Sequence, residues 1–383
     1  MAIDTEEPSA PPGPVAEEPG RSGSRGAAVA LRTVGVLAVA VLVFIGTGLA
    51  FEFLRDKDSN RLLVIVVALA VGVGGIFLLF WAMDKLVNLL PGELRETVRP
   101  YVYIGPALVI LSVFLVYPVI NTILLSFKDE TGQSFVGIDN FRFVFTDPSM
   151  LRSIRNTALW IVMVPLCAVS IGLIFATLAD RLRRGEAIAK SLIFLPMAIS
   201  FVGAAVTWRL IYSYRPEGFG TNVGLLNGIK LGLGQDPVAW LSQRPWNNLM
   251  LIVIMIWMQT GFAMVVLSAA IKSIPDEIVE AARIDGASEL QVFRHITVPS
   301  ILPTIVVVTT YMVINALKVF DIVFVMGNAE SNQTEVIAER MIRWFFLSNN
   351  DGRGAAIATV LFLAVLPVMV WNVRQFRQQE AIR

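Results

Sequence analysis

The stretch Ser273-Ile-Pro-Asp-Glu-Ile-Val-Glu280-Ala-Ala-Arg-Ile-Asp285-Gly286-Ala-Ser288-Glu-Leu-Gln291-Val-Phe-Arg-His295-Ile296-Thr-Val-Pro299 sets the plan of the chain. Ser273, Pro275, Asp276 and Glu277 are helix-start signals. A side-chain oxygen caps free N–H groups, proline is tolerated in the first turn, and acidic groups suit the positive end of the helix dipole. Gly286 supplies a turn, and Ser288 with Gln291 fits a capping box that starts a second helix. In the first helix Ile274, Ile278, Ala281 and Ala282 are expected on one face, with Asp276, Glu277 and Glu280 mostly elsewhere. The result is a helix-turn-helix with small residues at its middle, suited to a groove on another protein. Amphipathicity by itself serves a helix resting at lipid headgroups equally well.

Apolar runs flank this loop on both sides. Crossing about 30 Å of hydrocarbon takes about 20 residues at 1.5 Å each. Segments 33–51, 62–83, 101–127, 156–178, 191–213, 248–271, 301–326 and 355–371 meet that length or come close, so the fold class is all-α, a polytopic membrane protein with about eight transmembrane helices. Composition agrees: of 383 residues 55% are hydrophobic and only 16% charged, well below the roughly 25% charge of soluble proteins. An even number of spans puts both termini on one side. The short connection Asp180-Arg-Leu-Arg-Arg-Gly-Glu186 and a small excess of Lys and Arg on that side make it the cytoplasm. The longer connections fall outside. They carry Trp240, Trp246 and Trp344, which favours ordered loops able to meet a partner.

Residues 1–28 form a cytoplasmic tail expected to be disordered, with Pro8, Pro11, Pro12, Pro14 and Pro19 among Glu, Ser and Gly. Asp4, Glu6 and Glu7 stand where a secretory signal would be basic. The remaining organisation is two N-terminal spans over 29–92, then a six-span domain over 93–383 containing the loop 273–299.

One cysteine, Cys167, and one histidine, His295, rule out a disulfide framework and an all-protein Cys/His zinc site, and leave hydrolytic catalysis improbable. A net charge of +1 points to no nucleic acid. No G-x-x-x-x-G-K-[ST] phosphate loop occurs, so nucleotide chemistry would have to come from separate chains. An ion-coupled secondary transporter would carry several acidic residues in its spans. Here Asp321 is the only one deep in a span, and Lys318 stands three residues before it. On one helix that pair is expected to neutralise itself and hold adjacent helices. Trp208, Arg209 and Tyr212 are expected to anchor at the membrane interface. Polar residues in spans usually face the bundle interior; the sixth span offers Gln259 and Thr260 beside Phe262, and Tyr311, Asn315 and Lys318 share one face of the seventh.

The pattern Glu280-Ala281-Ala282, Gly286, Ile296, Val298-Pro299 resembles the EAA loop of ABC importer permeases, with Val298 where leucine is usual. The resemblance extends over about 101–379 and includes Val136-Gly-Ile-Asp-Asn-Phe141, Arg155-Asn-Thr157, Ser191-Leu-Ile-Phe-Leu-Pro196 and Leu317-Lys-Val-Phe-Asp-Ile-Val323. It is similar to carbohydrate importers of the maltose and glycerol-phosphate permease family, most of all to alpha-glucoside permeases. The resemblance implies the type I importer permease fold, residence in the bacterial cytoplasmic (inner) membrane, and no enzyme activity in this chain. It implies a coupling helix that docks into an ATP-binding subunit through Glu280, Ala281, Ala282, Asp285, Gly286, Ile296 and Pro299. The implied partners are two ATP-binding cassette subunits that hold ATP and magnesium, a second permease subunit, an extracytoplasmic solute-binding protein and a sugar. Aligned through the loop, Gln259, Phe262, Met312, Asn315 and Val319 fall where maltose-type permeases contact sugar, with Tyr311, Thr260 and Lys318 beside them.

Overall fold

The structure is a computed structural model that describes residues 41, 45–46, 48–55, 60–88, 90, 92–182, 184–216, 218, 220 and 224–380. The expected span over 33–51 lies largely outside these residues, although 48–55 are helical. Regular structure among the described residues is helical, apart from one antiparallel bridge between Lys128 and Phe135. Among the described residues six helices are long and apolar enough to cross a membrane, or seven if a bent pair counts as one span. The chain divides into two compact units at Pro118.

In the first unit, α1 (Arg61–Asn88) is an apolar helix with almost no side chain covered, as expected where lipid is the solvent. Near its end Asp84 accepts a 2.7 Å hydrogen bond from the Tyr103 hydroxyl, and Phe80 stacks on the Tyr103 ring at 6.2 Å. Tyr103 lies on α2 (Gly92–Leu125).

The second unit is organised around three spans: α4 (Pro148–Asp180), α8 (Trp246–Lys272) and α10 (Glu289–Leu317). Asp147 caps α4, accepting from the backbone N–H of Ser149 at 2.9 Å and of Met150 at 3.2 Å, and Pro148 takes the first helical position. Small residues let α4 and α8 approach closely: a Cβ added at Gly172 would stand 2.5 Å from the Ala263 Cβ. Trp160, Met255 and Met258 bury one end of this seam, and Ala168, Met264 and Met312 the other.

Two expected spans differ from a simple crossing. The segment 191–213 is two helices, α5 (Glu186–Phe194, extended by a tight turn to Ala198) and α6 (Phe201–Ile211), bent by 98°. Pro196 removes a backbone donor, Ile199 is extended, and Ser200 starts α6 by accepting from the Gly203 N–H at 3.0 Å. The segment 301–326 also divides. α10 ends at Leu317 with Lys318 as its cap, and a separate short helix α11 (Asp321–Met326) follows. The break falls between Lys318 and Asp321, and among the described residues no ion pair joins them, so the expected neutralising pair does not form. Tyr212 and Trp208 pack inward. Tyr212 is buried and donates to the Met250 carbonyl at 3.0 Å, and Trp208 packs between Tyr212 and Trp257. Their flat rings fill the gap that the bend leaves beside α8, and only Arg209 stays exposed.

The end of the unit opposite the 273–288 loop is built from short helices among the described residues. It carries α3 (Asp139–Thr146), α7 (Leu225–Gly232) and α12 (Ile337–Ile342) before the final helix α13 (Asp351–Glu380). Asn140 donates to the carbonyls of Ser126 at 3.0 Å and Lys128 at 2.7 Å, closing the end of α2. Asn156 donates to the carbonyls of Gln333 and Glu335, each at 2.9 Å, and Thr157 accepts from the Ile337 N–H at 3.0 Å. The segment before α12 is thereby tied to α4, with Arg152 meeting Glu335 at 3.3 Å; within the α12 region Arg343 meets Glu339 at 2.7 Å. Burial pushes the Glu339 carboxyl above its usual range against the pull of Arg343. Replacing Asn156 by alanine orphans two carbonyls here, which costs about 2 kcal/mol. Thermal unfolding of the purified protein in detergent should show a lower midpoint, with faster proteolytic nicking between 328 and 336.

Candidate functional site

The loop between α8 and α10 forms the helix pair read from its sequence. Its first helix, α9 (Asp276–Ile284), has Asp276 and Glu277 in the first turn and Arg283 in the last, each complementing the dipole. It ends in a Schellman arrangement: the Ala287 N–H donates to Ala282 at 3.0 Å, the Gly286 N–H to Arg283 at 3.1 Å, and Gly286 holds φ +83°. Ser288 then begins α10 with both halves of the capping box, the Ser288 N–H donating to Gln291 Oε1 at 2.7 Å and the Gln291 N–H to Ser288 Oγ at 3.4 Å.

Three local expectations need correction. Ser273 does not cap α9: it ends α8, and its hydroxyl donates to the Ala270 carbonyl at 2.7 Å. The face turned toward the bundle carries Val279 and Ala282 below Ile274; Ile278 and Ala281 are exposed, and Ile284 is 85% exposed. The cause is the turn at Pro275, which sets the helix rotation independently of its apolar stripe. The second helix is not a separate short element either. From Glu289 it runs through a wider π-type turn at Phe293–Thr297 directly into the span ending at Leu317. That wider turn accommodates Pro299 without ending the helix.

Glu280, Ala281, Asp285 and Gly286 stand exposed on this end of the molecule, with Ala282 and Ile296 half-buried and Pro299 exposed beside the span. A cleft of about 450 Å³ separates α9 from the ends of α4 and α8. Two charge clusters edge it. In the first, Lys190 Nζ lies 2.5 Å from Asp180, 2.6 Å from Glu186 and 2.5 Å from the Ser268 hydroxyl, and Lys272 pairs with Glu186. In the second, Glu289 accepts from both Arg181 and Arg283 at 2.9 Å. Sequence reading missed both clusters. Their signal was present as an arginine-rich turn and an acid directly after a capping serine, but the partners are up to 108 positions apart.

The expected sugar-contacting residues fall into two groups. Phe262 and Tyr311 meet with ring centroids 4.5 Å apart, and the Asn315 amide donates to the Tyr311 carbonyl at 2.9 Å. Tyr311 is exposed, and Phe262 and Asn315 are half-buried, so a ring-bearing patch with an amide beside it faces out of the α8–α10 pair. Lys318 lies exposed at the end of the same helix. Gln259, Thr260, Met312 and Val319 are buried within the chain in this conformation, and the Thr260 hydroxyl is spent on the Ile256 carbonyl at 2.7 Å.

With this geometry in place, likeness to known proteins is informative. The sequence profile of the family described as "Binding-protein-dependent transport system inner membrane component" matches residues 168–375. The osmoprotective compounds uptake permease protein GgtC of Synechocystis sp. is 54% identical over 281 residues, 73% of this chain and 100% of that protein. The alpha-glucoside transport system permease protein AglF of Rhizobium meliloti is 49% identical over 283 residues, 74% of this chain and 83% of that protein. A crystal structure of a bacterial ABC transporter that imports the acidic polysaccharide alginate contains a chain of the same fold. That match has a TM-score of 0.65 at 24% identity and covers 75% of this chain and 99% of the other.

Proposed function

This chain belongs to the family of binding-protein-dependent transport system inner membrane components, and from that premise we propose that it forms part of the path by which an ABC importer moves a carbohydrate of the alpha-glucoside class across the cytoplasmic membrane. It is an inner-membrane transport component, not an enzyme. The observation that carries the proposal is the Schellman-capped pair α9–α10 around Gly286, exposed at one end of the bundle and continuous with a span. An exposed α9 whose middle is Glu280-Ala281-Ala282 suits docking on an ATP-binding subunit that supplies ATP and magnesium, with Asp285, Gly286, Ile296 and Pro299 shaping the contact.

A second permease subunit would complete the path, and a solute-binding protein would deliver sugar to the opposite end. On this reading the coupling loop 273–299 and both termini are cytoplasmic, 93–383 forms the six-span domain, and 29–92 adds two spans behind the tail 1–28. Phe262 and Tyr311 supply a surface for a sugar ring and Asn315 a hydrogen-bonding edge. Gln259, Thr260, Met312, Val319 and Lys318 line the path as the bundle opens. The similarity to alpha-glucoside permease AglF supports this substrate class. A second reading, uptake of an osmoprotective compound, is supported by the likeness to GgtC.

The test is reconstitution of the complete complex in liposomes, with uptake of maltose, trehalose and sucrose measured with and without ATP. Uptake driven by an ion gradient in the absence of ATP would sink the importer reading, and uptake of an osmoprotectant alone would select the second reading. Phe262→Ala should raise the KM for the sugar about tenfold, the upper range of one aromatic contact, while ATP hydrolysis is kept.

A further inference from the structure

Helix α9 buries none of its residues and stands off the ends of α4 and α8 across the cleft edged by Asp180, Arg181, Lys272 and Val279. A push on α9 therefore has little packing through which to reach those spans. Among the described residues one side chain bridges the gap. The Glu289 carboxylate uses Oε1 for Arg283 Nε, at the end of α9, and Oε2 for Arg181 Nη2, at the end of α4, each at 2.9 Å. Glu289 is also the first residue of α10, whose helix continues unbroken to Leu317 beside the Phe262–Tyr311–Asn315 patch. Three elements thus meet at one carboxylate. Directly behind Arg181, the Asp180–Lys190–Glu186–Lys272 cluster fastens the ends of α4, α5 and α8 to one another.

We propose that Glu289 is a positioning residue of the transport cycle, the tie through which displacement of the loop 273–288 by a partner subunit is passed into α4 and, through the adjoining charge cluster, into α5 and α8. This rests on the permease reading. Each arginine makes one charge-assisted hydrogen bond, to a different oxygen of the same carboxylate, so a displacement of Arg283 shifts the group that also holds Arg181. Each pair is about half-exposed and contributes little to stability, so loss of the tie leaves the chain folded and acts on coupling.

The experiment counts sugar molecules imported per ATP hydrolysed by the complete complex in liposomes, with assembly followed by co-purification. Glu289→Gln and Arg181→Met should each lower that ratio by about fivefold or more, the size of an ordinary coupling term, with assembly and ATP hydrolysis maintained. The triple reversal Arg181→Glu, Glu289→Arg, Arg283→Glu should recover most of it, because the bridge is rebuilt with opposite signs. An unchanged ratio in Glu289→Gln, a parallel fall of uptake and hydrolysis, or no recovery in the triple reversal would each overturn the tie. Those results with ATP-driven uptake intact in the parent complex reject the tie alone. A parent complex that imports without ATP rejects the permease reading and the tie together.

Discussion

Replacing Gly261 by valine is expected to remove most of the folded protein, and Gly261→Ala to lower its yield and thermal midpoint. A Cβ at this position would stand 2.5 Å from the Ile193 carbonyl oxygen and 2.7 Å from the Phe194 Cα. Both are backbone atoms, so no side chain can swing away, and α8 must separate from α5. Overpacking of this kind costs about 1–3 kcal/mol for the first methyl, and a β-branched side chain adds more. The displacement would fall next to the bend at Pro196–Ser200 and beside Phe262, so the residual protein should also transport poorly. Gly228→Ala is the control: an added Cβ there meets no atom within 4 Å, and helix propensity favours alanine by about 1 kcal/mol. Expression and thermal unfolding in detergent compare the two; equal behaviour would contradict the close α5–α8 contact.

The second large effect is expected at Gly286, for a different reason. Nothing lies within 4 Å of a Cβ built there, but the backbone holds φ +83°, where an L side chain costs about 1–2 kcal/mol and a β-branched one more. Gly286→Val should therefore leave insertion and overall stability nearly unchanged while unwinding the Schellman turn. A penalty of that size lowers the equilibrium constant for the formed loop about five- to thirtyfold, since 1.4 kcal/mol is a factor of ten. Assembly with the ATP-binding subunits and ATP-driven uptake should fall together by at least that factor. Gly286→Asn, which tolerates the left-handed region, should retain more of both. Normal assembly and uptake in the valine variant would remove the loop from the mechanism.

The two glycines show how differently parts of this molecule could be read. Gly286 sits in a local pattern, with a helix before it and Ser288 and Gln291 after it, and every bond of its turn lies within a few residues. Its role was legible without neighbours. Gly261 lies inside an apolar helix, with no local pattern around it that calls for glycine. Its purpose appears only when Ile193 and Phe194, distant in sequence, are placed against it. The candidate sugar patch divides the same way. The shared face of Tyr311, Asn315 and Lys318 follows from helical periodicity, whereas the burial of Gln259 and Met312 depends on how tightly α8 packs on α4 and α10.

By itself the sequence determined that this is a helical membrane protein, where most of its spans lie, and that a capped helix pair turns at Gly286. Those features rest on hydropathy, periodicity and capping, which act within one or two helical turns. Only the structure showed the 98° bend of the fifth span, the break after Leu317, the rotation of α9 and the sharing of Glu289 between Arg181 and Arg283. The bend and the rotation start from local breaks at Pro196 and Pro275, whereas the sharing of Glu289 joins residues 108 positions apart. A polar or small residue finds its partner there only after the helices have packed.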